Sequence, residues 1–172
     1  MKRKELCIIS DSDIPSGSGG INGEGYTYGQ LRHQPIITEI LQRITHPIAR
    51  QMAEDCNERN RKDGFTMYKV DSEYCFEGLR VGPKVKIPSK DELLALLGVQ
   101  PINAASIRNI TYTLIRKELA RLYGTTVQEA ADIIGNQLDC APHEDISGYI
   151  FMVPNWAHKW FRHNGYVSRM LK

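Results

Sequence analysis

Apolar residues recur every three to four positions in two long stretches of the chain, a spacing typical of amphipathic helices. The stronger stretch covers residues 103–123 and is followed by Gly124, a usual helix stop. The other covers residues 36–60, where Pro47 predicts a break into two helices because proline cannot continue the hydrogen bonding of a helix interior. The apolar side of the first stretch is predicted to comprise Ile107, Ile110, Leu114, Ile115, Leu119 and Leu122.

Two short motifs predict the starts of further helices. Ser89 and Thr126 each precede a glutamate by three positions, which is the arrangement of a capping box. The helix after Ser89 is expected to end at Gly98. The helix after Thr126 is expected to run through Ile134 and to end at Gly135.

Shorter runs rich in β-branched and aromatic residues predict strands. Residues 5–9 are predicted to form one short strand. Residues 65–70 and 74–79 flank a short polar pair, which predicts a hairpin, and residues 81–87 are expected to add a third strand to it. A small antiparallel region beside a mostly helical scaffold indicates an α+β fold.

A glycine-rich segment separates the first residues from the rest of the chain. Residues 15–25 contain five glycines, a composition typical of a flexible linker, and they lack the Lys-Ser/Thr ending of a phosphate-binding P-loop. We therefore expect residues 1–25 to form an N-terminal strand and a flexible segment, and residues 26–172 to form one domain.

The composition is that of a chain able to build its own core. Hydrophobic residues make up 41% of the 172 positions, and no apolar run is long enough to cross a bilayer. The basic residues at positions 2–4 are followed by too few apolar residues to predict a signal peptide. The four cysteines are scattered without a Cys-x-x-Cys pair, so we expect reduced thiols, most of them in the core.

The residues suited to chemistry concentrate in residues 140–166. Three of the five histidines and both tryptophans fall there, and from residue 146 onward the chain has four basic residues and no acidic ones. Imidazole suits proton transfer near neutral pH and the binding of transition metals, and a positive surface suits phosphate. A solvated C-terminal helix would show the same charge pattern.

The spacing within this stretch predicts a β-β-α unit. His143 falls on a first strand, a Ser-Gly turn follows, and residues 149–153 form an apolar second strand. Asn155 is predicted to cap a helix that carries His158 near its first turn. In such a unit an imidazole on the strand faces another on the helix, across a gap for one ion and one phosphate.

The pattern H-E-D-x-x-G-x-I-x-x-V-P-x-x-x-H-x-x-x-x-H-x-G, at residues 143–165, resembles the HNH/endonuclease VII superfamily. The likeness is to the WHH-type nucleases at the C-termini of bacterial polymorphic toxins. Ala141 and Pro142 stand where that family has its Trp-His pair, and Tyr166 stands where it has a second glycine. The resemblance implies a ββα-metal (His-Me finger) nuclease unit at about residues 138–166, attached to the mostly helical scaffold.

Hydrolysis of a phosphodiester needs a base for the attacking water and positive charge for the phosphate and its leaving oxygen. His143 is the candidate catalytic base, and the resemblance implies the same role. The structural alternative is a histidine held in its strand by Asp145 or by a backbone carbonyl. Arg162 is the candidate catalytic cation on the leaving-group side.

His158 is the expected metal ligand. His163 would join it only if the helix ends near Phe161, because five residues along an unbroken helix rotate a side chain by ~140°. Asp145, Glu144 or water are the candidates for a further ligand. One divalent ion is expected: Mg²⁺ or Mn²⁺ with carboxylate and water ligands, Zn²⁺ or Ni²⁺ with a histidine-rich set.

Lys159, Asn155 and Arg169 are the candidate substrate contacts. The expected function is metal-dependent endonucleolytic cleavage of DNA, and RNA also fits the same chemistry. The resemblance implies an antibacterial toxin domain that is secreted or delivered, acts in the cytoplasm of the target cell and is neutralised by a cognate immunity protein; no membrane partner is expected. The competing hypothesis is a non-catalytic module that binds nucleic acid or protein and has structural histidines.

Overall fold

The computed structural model of the protein describes residues 6–8, 44–65, 67–70, 73–161 and 166–171. Its helices are α1 (Pro47–Asp63), α2 (Lys90–Leu97), α3 (Ala104–Tyr123), α4 (Val127–Asp132), α5 (Asn155–Trp160) and α6 (Tyr166–Met170). Its strands are β1 (Leu6–Ile8), β2 (Tyr68–Val70), β3 (Glu73–Cys75), β4 (Val81–Lys86), β5 (Cys140–Glu144) and β6 (Tyr149–Pro154). A 3-10 turn (Glu77–Leu79) precedes β4, and a π-helical turn (Ile133–Gln137) prolongs α4. The glycine-rich segment and the first part of the predicted 36–60 helix lie outside the described residues.

Both predicted capping residues act as caps. The hydroxyls of Ser89 and Thr126 each accept a hydrogen bond from the backbone N–H three residues on, at 3.2 and 3.1 Å. Gly98 ends α2 as predicted. The predicted stop at Gly135 is wrong, because the chain continues through it in the π-helical turn, whose two buried isoleucines stabilise the turn despite the poor helix propensity of glycine.

The described strands form two antiparallel three-stranded sheets, with the orders β1-β2-β3 and β4-β6-β5. The predicted hairpin is present as β2 and β3, which are shorter than predicted. The predicted strand at residues 81–87 is present as β4, but it does not join this hairpin: β4 pairs with β6, where Lys86 lies opposite Tyr149. Strand β6 is almost entirely buried, so it requires a hydrogen-bonding neighbour on each edge, and β4 and β5 provide them.

The long helix α3 buries residues that are four positions apart. Ile107, Thr111, Ile115 and Leu119 are all fully buried. The last three lie toward the second sheet, whereas Ile107 packs in a separate cluster with α2 and α6. Leu122 was predicted on the same side but is 50% exposed. Because the row of contacts follows a four-residue spacing, Thr111 lies within it, whereas Leu122, only three residues beyond Leu119, falls outside.

The two faces of the second sheet have different coverings. Side chains alternate across a strand, so Glu144 and His143 on β5 point to opposite faces. On one face Thr111 Oγ1 of α3 donates a hydrogen bond to Glu144 Oε1 at 2.9 Å. On the other face the ring of Phe76, just after β3, lies 4.6 Å from the His143 ring. Helices α1 and α3 therefore lie across the sheet from His143, since both approach β4 on the Glu144 side.

Three of the four cysteines are buried thiols, as their scattered spacing predicts. Cys56, Cys75 and Cys140 are buried and form no disulfide, and the side chain of Cys7 lies outside the description. Burial raises the pKa of Cys56 to about 11 and also raises the pKa of Cys140, so both are neutral at physiological pH. Within the described ranges, no helix combines the length and the apolar character that crossing a bilayer requires.

Replacing Thr111 by valine removes the hydroxyl that donates to the buried Glu144 carboxylate while keeping the side-chain shape. We expect the free energy of unfolding to fall by about 1–3 kcal/mol, because a buried acceptor loses its partner. The matched control is Thr113→Val on the same helix, where an exposed hydroxyl bonds only a helix carbonyl and a change within about 0.5 kcal/mol is expected. Equal losses of stability in urea unfolding would contradict a structural role for the Thr111–Glu144 contact.

Candidate active site

The predicted β-β-α succession is present in the structure. Strands β5 and β6 form an antiparallel hairpin in which His143 lies opposite Phe151, and α5 begins directly after β6. Asn155 was predicted to be the N-cap but is the first helical residue, after Pro154. Its side chain bonds Asp139 Oδ1 at 2.8 Å and its backbone N–H bonds the Asp139 carbonyl at 3.0 Å. These two bonds attach the start of α5 to the residue before β5.

The folding back of α5 over the hairpin brings two of the predicted site residues together. The rings of His143 and His158 have centroids 5.3 Å apart and an interplanar angle of 74°. His143 is only 4% exposed, whereas His158 is partly exposed. The two imidazoles therefore share one location, and His158 lies nearer to solvent.

Asp145 lies in the turn between the two strands and is fully buried. Its Oδ1 accepts hydrogen bonds from His143 Nε2 at 3.0 Å and from the Phe76 backbone N–H at 2.9 Å. Its Oδ2 accepts from the Ser147 backbone N–H at 3.0 Å and from Cys75 Sγ at 3.2 Å. An ionised carboxylate has about four acceptor positions, so these donors account for its hydrogen-bonding capacity.

The hydrogen bonds keep this buried carboxylate ionised. Burial raises the pKa of Asp145, but the hydrogen bonds from His143, Phe76 and Ser147 outweigh it and hold the pKa below its usual value. An ionised carboxylate only accepts hydrogen bonds, so His143 carries a hydrogen on Nε2 and donates a hydrogen bond through it to Asp145. In neutral His143 the basic nitrogen is then Nδ1.

Aromatic rings surround the two histidines. Phe76 lies edge-on to His143 at 4.6 Å, and Phe151 lies 5.9 Å from it. Phe76 also lies 6.3 Å from His158 and 6.1 Å from Phe161. This apolar wall lowers the local dielectric, so the hydrogen bond between His143 and Asp145 is stronger than it would be in water.

The remaining predicted site residues are described only in part. Lys159 belongs to α5 and Arg169 to α6, and the positions of their side chains lie outside the description. Arg162 and His163 lie outside the described residues. Helix α5 ends at Trp160, and Phe161 is extended. A ligand role for His163 requires the helix to end near Phe161, and this condition is met.

The described residues supply an incomplete set of metal ligands. Among them, no group of three or more histidine, cysteine or acidic side chains is arranged to hold an ion. Of the predicted ligands, His158 lies at the site and is partly exposed to solvent. The oxygens of Asp145, another predicted ligand, instead accept hydrogen bonds from protein donors. A divalent ion at His158 would need further ligands from water or from residues 162–165.

No protein-family model, curated protein or solved structure matches this chain. The support for the candidate site is its own geometry together with the likeness of residues 143–165 to the WHH-type pattern.

Two residues of the site carry no local sequence signal. Cys75 and Phe76 reach Asp145 across 70 and 69 positions of sequence, from a segment whose pattern indicates only a strand. The polar run His143-Glu144-Asp145 at the end of β5 identifies Asp145 as a candidate site residue. The residues that bond Asp145 depend on how the two sheets pack. A cysteine followed by an aromatic residue at a strand end is too common to identify them.

Replacing Asp145 by asparagine puts an amide where four donors converge. We expect a loss of about 3 kcal/mol in the free energy of unfolding at pH 7, since at least one buried donor then faces another donor. The unfolded carboxyl titrates near pH ~3.9 and the folded pKa is lower. The contribution of Asp145 is therefore complete above that pH and is lost as the pH falls through the folded pKa.

Urea unfolding at pH 7 measures the loss, and unfolding at pH 5 and 3 measures this dependence: the difference between wild type and Asp145→Asn should be smaller at pH 3 than at pH 5. Asp91→Asn, an exposed change in the first turn of α2, is the control and should alter stability by less than about 1 kcal/mol. A difference for Asp145→Asn no larger than the control would refute the role given to the carboxylate.

Proposed function

We propose that this protein is a metal-dependent endonuclease that hydrolyses phosphodiester bonds of DNA, with RNA as a second possible substrate. The observation that carries the proposal is the approach of His143 on β5 and His158 on α5 to a ring-centroid distance of 5.3 Å. The resemblance of residues 143–165 to the WHH-type nucleases assigns the same two positions to the base and to the metal ligand.

In this proposal His143 accepts the proton of the attacking water. Asp145 orients the ring through the Nε2 hydrogen bond and stabilises the imidazolium that forms, so the accepting atom is Nδ1. A partner that fixes the tautomer is what a histidine base requires, and Asp145 is itself fixed by backbone N–H groups of Phe76 and Ser147.

His158 would hold the divalent ion, with water and residues 162–165 as sources of further ligands. Bound there, a divalent ion would supply positive charge to the phosphate oxygens. Because His143 is nearly buried and His158 is partly exposed, substrate would enter from the His158 side. Lys159, Arg162 and Arg169 follow His158 in the sequence, and this basic composition favours a polyanionic substrate.

The biological setting rests on the resemblance alone. As in the toxins that carry WHH-type domains, the protein would be delivered into a competing bacterium, act in its cytoplasm and be neutralised in the producer by an immunity protein.

A second function is favoured by one specific observation. The Asp145 carboxylate is fully buried and bonded by four donors, and His143 is 4% exposed, as in a hydrogen-bonded core that only stabilises the fold. In that case the protein would be a non-catalytic module that binds nucleic acid or another protein through its basic C-terminal residues. Measured cleavage separates the two functions.

The test is cleavage of supercoiled plasmid and of a single-stranded RNA with Mg²⁺, Mn²⁺, Zn²⁺ or Ni²⁺, with and without EDTA. We expect His143→Ala and His158→Ala each to reduce cleavage at least about 100-fold, the usual contribution of a general base or an essential metal ligand. His143→Gln adds a variant whose amide can still donate to Asp145, so loss of activity in a folded protein is attributable to the missing imidazole.

The control is His46→Asn, which removes an imidazole at the N-terminus of α1 and keeps a side chain able to cap the helix. It should retain activity, and circular dichroism should show that every variant is folded. Cleavage that survives both site substitutions would rule out this site, and cleavage unaffected by EDTA would rule out metal dependence. Absence of cleavage by the folded wild type with every metal would favour the non-catalytic module.

A further inference from the structure

A partly open cavity of about 210 Å³ lies at the edge of the second sheet, on the face covered by α1 and α3. One water molecule needs only about 10–15 Å³, so the cavity has room for a small ion together with its waters. Its lining includes Met52, Asp55, Cys56, Arg59, Arg80 and Tyr123. Because it lies across the sheet from His143, it is a separate site, and the inference below does not depend on the proposed nuclease activity.

Two guanidinium groups line this cavity from different segments of the chain. Arg59 comes from α1, and its Nη2 donates to the Arg80 backbone carbonyl at 2.7 Å. Arg80 precedes β4, and its Nη1 donates to the Gly82 carbonyl. Within the described ranges neither guanidinium has a carboxylate at ion-pair distance, in contrast to Arg50 and Arg61 on the same helix.

The donors of these two arginines exceed the acceptors that the described chain offers them. A guanidinium has five N–H donors, and Arg80 Nε is buried without a hydrogen-bond partner in the described part of the protein. The pKa of Arg80 is lowered, first by burial and then by repulsion from the nearby charge of Arg59. An anion between them would accept the remaining N–H groups and relieve this repulsion.

The other lining residues restrict the kind of anion. The Cys56 thiol is neutral, so it neither neutralises the arginines nor repels a ligand. Asp55 is exposed at the cavity and accepts a hydrogen bond from Gln51 at 2.8 Å rather than pairing with Arg59. The charged groups of the lining are thus two cations and one carboxylate. Their sum is a net positive charge, so attraction to the two cations outweighs repulsion by the carboxylate and increases with the charge of the anion, and several acceptor oxygens are needed to bind the remaining N–H groups.

We infer that this cavity binds a phosphate group through Arg59 and Arg80. A phosphate monoester carries about 1.5 to 2 negative charges near pH 7 and has three terminal oxygens, which match the forked donors of two arginines better than a singly charged carboxylate does. Gly82 contributes no side chain to the lining, and a Cβ there would lie 2.5 Å from the Met52 methyl, so the backbone and α1 are in close approach at this point. Two sources have this chemistry: free inorganic phosphate and the terminal phosphate of a nucleic-acid strand.

The test is titration of the full-length protein with inorganic phosphate. Binding is measured by calorimetry and by changes in the NMR signals of the arginine Nε–H groups. We expect saturable binding that Arg59→Gln weakens about tenfold, the usual effect of losing a charge-assisted hydrogen bond. Asp55→Asn should tighten binding, because it removes the opposing carboxylate. The matched control is Arg61→Gln. Arg61 lies two residues beyond Arg59 and pairs with Glu58, so this variant removes the same charge from outside the cavity.

Binding that Arg59→Gln and Arg61→Gln weaken equally would overturn the inference, since it would reflect overall charge alone. So would the absence of saturable binding at millimolar phosphate. A short oligonucleotide with a 5′-phosphate and the same oligonucleotide without it distinguish the sources. Arg59-dependent binding of the phosphorylated strand would identify a nucleic-acid end, whereas binding of inorganic phosphate but not of the strand would identify the free anion; either result supports the phosphate site.

Discussion

One buried carboxylate joins distant parts of the chain at the candidate active site. Asp145 receives hydrogen bonds from β5, from its own turn, from the end of β3 and from the residue after β3, so the hairpin and the first sheet meet at its two oxygens. A buried charge without partners would be strongly destabilising, and this requirement fixes the position of the segment around Phe76 relative to His143. The geometry of His143 and His158 therefore depends on Asp145.

Features set by local sequence were predictable. The caps at Ser89 and Thr126, the span of α3 and the β-β-α succession all follow from residues within a few positions of each other, and the structure has them. The proximity of His143 and His158 was also predictable from local sequence, because a hairpin followed at once by a helix leaves few ways to place the two rings.

Features set by packing between distant segments were not predictable in the same way. The pairing of β4 with β6 depends on the need of a buried strand for two neighbours, which the pattern of β4 alone does not express. Asp145 was a candidate metal ligand on the basis of its type and position, and only the packing of Cys75 and Phe76 shows its oxygens facing protein donors. The meeting of Arg59 and Arg80 at one cavity likewise depends on how α1 lies on the sheet edge.

The attachment of Asp145 to the Cys75–Phe76 segment also bears on the modularity of the C-terminal motif. The residues that resemble a nuclease signature form a continuous cassette, yet two of the four donors that hold its acidic residue come from 69 and 70 positions upstream. Excised and grafted onto another scaffold, the cassette would keep its histidines but lose these donors and the Phe76 ring that contacts both imidazoles. A transplanted motif would therefore need the upstream strand that supplies these donors.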